Sequence, residues 1–308
     1  MALDVSADLF GKRMGNPLIL ASGVLGVTKA GLEAMAVKGA GGVTTKSLSI
    51  EPRKGHESPI IVETECGMLN AVGYSNPGIE DGIAEFSGWD RPEPLIISIV
   101  GKDEGEFAAL AAKVEKSRKQ LNCTALELAL SCPHTPGFGV MAGQADPEMA
   151  GRITKAVRKE TRLPVIVKLS PSVPGEVEAA KHAEKSGASA INMGNSLGPG
   201  MKIDINRGKP ILGFGMGGMS GPAIKPIAVR CVYDIYEAVK IPIIGTGGVN
   251  TGQDAIEMMM AGASFVGVGT AVYFRGPEAF KKIEGEMRSW LKEREYKKAS
   301  DIVGVAHE

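Results

Sequence analysis

Eight short strand-like runs, most of them apolar, recur along the chain, at 17–21 (PLILA), 42–47 (GVTTKS), 95–100, 125–130, 165–169, 188–193, 241–245 and 265–268. Each has the length of a buried strand, and the run at 125–130 is broken only by Glu127. The segments between them carry apolar residues at helical spacing, as with Leu32, Met35 and Ala36, or Leu110, Val114 and Leu121. Eight strands alternating with helices over about 250 residues predict an α/β fold, the closed (β/α)8 or TIM barrel. Residues 3–16 read as a small hairpin ahead of it, and 277–292 as a terminal amphipathic helix. Two connections, 48–93 and 194–226, are too long for simple crossovers and are expected to be elaborated loops over the barrel mouth. The whole of 1–308 is expected to form a single domain.

Charge narrows the class of partner. Lys and Arg together number 35, as do Asp and Glu, and no basic cluster is interleaved with aromatics, so nucleic acid is not expected. No apolar run reaches the roughly 18 residues of a spanning helix, and the N-terminal MALDVSADLF carries acids where a signal peptide carries bases. A cytoplasmic protein without membrane contact is the expectation. Cys66, Cys123, Cys132 and Cys231 lack CxxC spacing, which argues against a metal site, an iron–sulfur cluster or a disulfide framework.

The chemistry is expected where strands end. Cys132 follows the fourth apolar run directly and is itself followed by Pro133, Pro136, Gly137 and Gly139, which mark a loop. A lone cysteine is usually an inert small hydrophobe, but one just past a strand's carboxyl end sits where barrels gather catalytic groups. After the seventh run comes GTGGVNTG and after the eighth GVGTA. Glycine loops on these two late strands commonly hold a phosphate on backbone amides, although any single one could be an ordinary turn. Lys46 and Lys168 stand where apolar residues are expected, and a buried ammonium needs an anion: either a bound ligand or a carboxylate such as Glu127. Asn70 and Gly73 in one long loop, with Asn195 and Ser196 in the other, suit a small planar ligand with carbonyl and NH edges. His182 reads as a solvated helix residue and His307 as a tail residue, while His134 is open between loop packing and a role in the site. Met258, Met259 and Met260 read as helix core.

Taken together, ASG at 21–23, TKS at 45–47, ETECGMLNAVGYSNPG at 63–78, SCP at 131–133, VKLSP at 167–171, MKIDI at 201–205, GGMSGPAIKPIAVR at 217–230 and GTGGV at 245–249 resemble the class 1 dihydroorotate dehydrogenases over nearly the whole length. The likeness is to the type that works with a separate electron-transfer subunit. It implies FMN at the barrel mouth, with Lys46, Ser47 and Lys168 near the ring, Gly221, Gly247, Gly248, Gly269 and Thr270 near the phosphate, and Ala21 and Ser22 also binding the cofactor. It implies substrate contacts from Lys46, Asn70, Gly73, Asn195 and Ser196, and makes Cys132 the catalytic base. A partner carrying FAD and an iron–sulfur cluster is implied too, and a homodimer is the expected assembly.

The chain departs from that pattern at three places. Ala129 stands two residues before Ser-Cys-Pro, where the family usually has asparagine, and His134 follows where asparagine is common. His134 and GQADPE at 143–148 resemble instead the flavin domain of dihydropyrimidine dehydrogenases. The sixth strand ends in NMGNS, so that either Asn192 or Asn195 could face the ligand. The expected activity is oxidation of dihydroorotate to orotate. The alternatives are another dihydropyrimidine or related cyclic substrate, or a non-redox phosphate- or flavin-binding barrel.

Overall fold

The computed structural model describes residues 3–131, 137, 144, 146–172 and 175–308. Cys132, expected at the site, and His134, open between loop packing and a site role, lie outside the described residues, as do Gly143 and Ala145 of GQADPE.

Strands β1 (Ala7–Leu9) and β2 (Lys12–Met14) form the N-terminal hairpin, paired antiparallel with Leu9 opposite Lys12. Its two-residue turn, Phe10 and Gly11, has positive φ at both positions (54° and 85°), the tight hairpin geometry that matches strand twist. The barrel then begins with β3 (Leu18–Leu20), α1 (Lys29–Val37) and β4 (Gly42–Thr44). The first long connection holds β5 (Ile61–Thr64), β6 (Gly67–Asn70) and α2 (Ile79–Phe86). There follow β7 (Leu95–Ile99), α3 (Glu104–Lys116), α4 (Arg118–Leu121), β8 (Ala125–Ala129), α5 (Pro147–Glu160), β9 (Val165–Leu169), α6 (Glu176–Lys185) and β10 (Ala190–Met193). The second long connection holds β11 (Leu197–Gly200), β12 (Ile203–Asp204), β13 (Lys209–Pro210) and β14 (Gly217–Ser220). The chain finishes with α7 (Lys225–Ala238), β15 (Ile243–Thr246), α8 (Gly252–Met260), β16 (Phe265–Val268), α9 (Ala271–Arg275) and α10 (Ala279–Glu293).

Eight parallel strands close in the order β10-β15-β16-β3-β4-β7-β8-β9, so the eight apolar runs form the barrel as expected. Side chains two apart on a strand share a face, and this divides the interior into layers. The lowest layer is apolar: Ile19, Ile96, Ala125, Ile166, Ala190, Ile244 and Phe265 pack with Leu9 and Met14 of the hairpin. The hairpin therefore plugs the amino-terminal end. Two residues higher, the same strands present Ser98, Glu127, Lys168, Asn192 and Thr246, all buried.

The two long connections are not merely loops. Their strands zip together as one antiparallel sheet, order β11-β14-β6-β5, with Gly218 opposite Asn70 and Ser220 opposite Met68. Leu69, Ala71 and Leu212 are its buried core. The sheet roofs the carboxyl end of the barrel. The segment that carries Leu110, Val114 and Leu121 is divided at Ser117 into α3 and α4. Among the described residues, no helix is long and apolar enough to cross a membrane.

Candidate active site

Between the barrel's carboxyl end and the roof lies a cleft enclosing about 1210 Å³, open solvent included. Strand ends supply Ala21, Ser22, Lys46, Ser47, Ala129, Lys168 and Thr246 to its walls, and the roof supplies Met68, Asn70 and Ser220. The late loops add Gly247, Gly248, Gly269 and Thr270, with Gly221 at the far edge of the roof. Lys46 and Lys168 are the charged residues of this described lining.

The lysine on β9 is buried to 5% exposure, and its ammonium lies 4.0 Å from the carboxylate of Glu127, itself 1% exposed. Glu127 also accepts hydrogen bonds from Ser98 Oγ (3.0 Å) and Asn192 Nδ2 (2.7 Å). Asn192 in turn accepts from Thr246 Oγ1 at 2.8 Å, and Ser98 joins Ser47 at 2.9 Å. Gly267 on β16 makes room for Thr246, since a Cβ there would stand 1.9 Å from its hydroxyl. The polar layer thus runs around the barrel immediately beneath the cleft.

The glycines of the late loops have two different physical reasons. At Gly247 and Gly248, φ is +140° and +76°, and a Cβ would strike Ala228 or Lys225 of α7 at 2.8 and 2.5 Å. Those glycines let the loop seat against a helix. At Gly269 the nearest atoms to a Cβ would be Val24 and Ala21 at 3.8 and 3.9 Å, so the backbone is left bare beside the cleft. Asp254 holds the loop after β15 in place. It accepts from the backbone N–H of Asn250 (3.0 Å) and Thr251 (2.7 Å) and from Lys225 Nζ (2.7 Å).

The dihydroorotate dehydrogenase family model matches residues 4–291. The chain belongs to the dihydroorotate dehydrogenase family. It is 46% identical, over 95% of both chains, to a protein of Methanothermobacter thermautotrophicus named dihydroorotate dehydrogenase B (NAD(+)), catalytic subunit. A protein of the same name from Pyrococcus furiosus is 45% identical over 99% of both. In fold it resembles the crystal structure of DHODH from Eimeria tenella in complex with ferulenol (TM-score 0.84, 21% identity, covering 99% of this chain and 89% of that one).

With the family established, the cleft collects every described residue expected at the site: those of the strand ends, the late glycine loops, and Asn70, Gly73, Asn195 and Ser196. The choice between two asparagines is resolved spatially. Asn195 lines the cleft and donates to Ser131 Oγ at 2.8 Å, whereas Asn192 lies below in the polar layer. The carboxylate expected for Lys168 is Glu127, and the lysine also lines the cleft. Sequence reasoning missed Tyr74, which lines the cleft and packs with Val100 against Ala129. It also missed Ser98, Asn192 and Thr246 as one layer. The available signal was a polar residue at matching depth in strand after strand.

His307 also differs from its expectation. It is no loose tail residue, because its ring stacks on Tyr233 at 3.8 Å and bonds the carbonyl of Ala261.

Proposed function

We propose that this chain is the catalytic barrel of a dihydroorotate dehydrogenase, a single FMN-binding unit over 1–308 that oxidises dihydroorotate to orotate in pyrimidine synthesis. The observation that carries the reading is the one cleft at the barrel's carboxyl end, where two lysines, the late glycine loops and the roof asparagine meet. A bound flavin supplies the acceptor for the hydride that leaves C6 of the substrate. Bare backbone at Gly269 and the adjoining amides of Gly247, Gly248 and Thr270 suit its phosphate. Lys168 and Lys46 place positive charge where reduction adds negative charge. Asn70, Asn195 and Ser196 offer the paired donors and acceptors that a dihydropyrimidine ring presents in complement. Cys132, one residue beyond the described end of the β8 segment, is the base that removes the proton from C5.

The purified protein should be yellow, and anaerobic dihydroorotate should bleach it. Cys132→Ala should keep its flavin yet lose about 10²- to 10⁴-fold in the rate of bleaching. Bleaching of the variant at the wild-type rate would remove Cys132 from the mechanism. A second reading, another dihydropyrimidine as substrate, draws on Ala129: its methyl group faces the cleft where asparagine is usual, with Tyr74 beside it. A panel of dihydropyrimidines in the same bleaching assay separates the two, and a colourless protein that takes up no FMN would favour a non-redox barrel. Electrons would pass to a partner carrying FAD and an iron–sulfur cluster, as the relatives' designation as a catalytic subunit suggests.

A further inference from the structure

Glu127 neither lines the cleft nor reaches solvent, yet it is the centre of the polar layer under the cleft floor. Hydrogen counting around it gives the layer a direction. An ionised carboxylate only accepts, so the single hydroxyl hydrogen of Ser98 is committed to Glu127, at 3.0 Å. Ser98 Oγ must then accept from Ser47, 2.9 Å away, which commits the hydrogen of Ser47. Ser22 donates to the carbonyl of Thr45 at 2.8 Å, so its hydrogen is committed as well. On the other side Asn192 donates its amide to Glu127 and must therefore turn its carbonyl oxygen toward Thr246, which donates to it at 2.8 Å. Ser22, Ser47 and Thr246 all line the cleft, and all three are left presenting lone pairs to it. Lys168, 4.0 Å from the same carboxylate, is the donor among them.

We propose that Glu127 is a positioning residue for the reaction: ionised, it holds Lys168 as an ammonium at the cleft floor and orients the Ser47 and Thr246 hydroxyls as acceptors toward the bound flavin. This rests on the flavin reading above and goes beyond it, because it assigns a function to a residue that touches no ligand. Two consequences separate it from a purely structural role. Neutralising Glu127 leaves the ammonium's charge undivided, so the reduced flavin, which carries added negative charge, is favoured. Breaking the hydroxyl chain releases the hydrogen of Ser47 to the cleft or to Ser22 Oγ, 3.3 Å away, so the lone pairs set toward the flavin are no longer fixed.

The test uses the flavin-loaded protein and reads the flavin's midpoint potential and its dissociation constant, neither of which depends on dihydroorotate. Glu127→Gln is expected to raise the potential while remaining yellow. In a Lys168→Met background the same change is expected to shift the potential by less than half as much, because the effect runs through the ammonium. Ser98→Ala, which leaves both charges in place, is expected to weaken flavin binding about two- to tenfold with little change of potential. An unmoved potential in Glu127→Gln, or an equal shift in both backgrounds, would overturn the role through Lys168. Unchanged flavin affinity in Ser98→Ala would overturn the hydroxyl chain, and that variant stands if Glu127→Gln does not fold. Failure of dihydroorotate to bleach the wild type would sink the substrate reading while leaving these measurements intact. Failure to take up any flavin would sink the flavin reading and this inference together.

Discussion

Ala129, which stands where the resemblance leads one to expect asparagine, is closely packed on one side and lines the cleft on the other. Tyr74 packs against it with Val100, and the Tyr74 hydroxyl reaches the Ala129 carbonyl at 3.5 Å, a long and weak hydrogen bond. Tyr74 also has φ 56°, a left-handed conformation that an aromatic residue adopts only when its neighbours hold it there. Added volume at 129 crowds that ring or takes up space in the cleft. Ala129→Asn is therefore expected to destabilise the fold by about 1–3 kcal/mol, and Tyr74→Leu in the same chain to relieve part of the loss. Urea unfolding of the two single variants and the double variant checks this; strictly additive effects would mean the two side chains do not compete for space. Beside them, His56 stacks on Phe214 at 3.9 Å, and its ring occupies the place a Cβ of Gly73 would need, 2.6 Å from Cδ2. Gly73 is thus a glycine for packing as well as for its place in the cleft. Burial lowers the His56 pKa from its usual value, chiefly by desolvation. A lowered folded-state pKa means that the unfolded chain takes the proton more readily, so stability is full above about pH 6.5 and falls as pH drops below it. Melting temperatures at pH 7.5 and 5.5 should converge less in wild type than in His56→Gln; parallel losses would show that another group carries the effect.

At the scale of elements, what was legible and what was not divides along the source of the signal. The eight barrel strands were legible because strands buried on both faces are nearly continuous apolar runs, and Lys168 and Glu127 stood out as charges within two of them. The roof was not. LGPG of β11 and GGMS of β14 have no strand propensity, and their pairing is set by partners distant in sequence. Gly217 shows why: a Cβ there would stand 2.4 Å from the carbonyl of Asn70, so close strand approach requires the glycine that hides the strand. Helix α2 was legible in principle, with Ile79, Gly82, Ile83 and Phe86 buried at helical spacing. The glycine loop after β15 depends on an element junction. Asp254 forms a capping box with Thr251 at the start of α8 and ties that helix to Lys225 at the start of α7. Burial is the largest influence on its carboxyl and raises the pKa, but Lys225, Asn250 and Thr251 together outweigh it and hold the group below its usual value. That contribution is present above about pH 4 and is lost as pH falls through the folded-state pKa. Asp254→Ala is expected to cost about 1–3 kcal/mol at neutral pH and to loosen FMN more than it affects substrate binding. Calorimetry with and without FMN checks both, and an unchanged FMN affinity would separate the junction from the phosphate site.

The whole molecule has one chemical end. The hairpin of β1 and β2 seals the barrel below, the polar layer lies above that seal, and the roof covers the cleft from the other side. Among the described residues no group of three or more His, Cys, Asp or Glu side chains is placed to hold a metal ion. The three described cysteines are apart in the fold: Cys66 is exposed in the turn before β6, Cys123 precedes β8 and Cys231 lies within α7. Burial pushes the thiols of Cys123 and Cys231 up to about 11, which makes them poor metal ligands and poor nucleophiles at neutral pH. The relatives' designation as a catalytic subunit points to a separate chain that relays the electrons. The expected outcome for the isolated, flavin-loaded protein is thus a split between half-reactions. Dihydroorotate should reduce the flavin rapidly under anaerobic conditions, whereas NAD should reoxidise it at only a small fraction of that rate. Addition of a partner carrying FAD and an iron–sulfur cluster should restore NAD reduction without changing the rate of the first half-reaction. Stopped-flow measurement of the two half-reactions distinguishes the cases, and NAD reduction by the isolated chain as fast as its own flavin reduction would show that no second chain is needed.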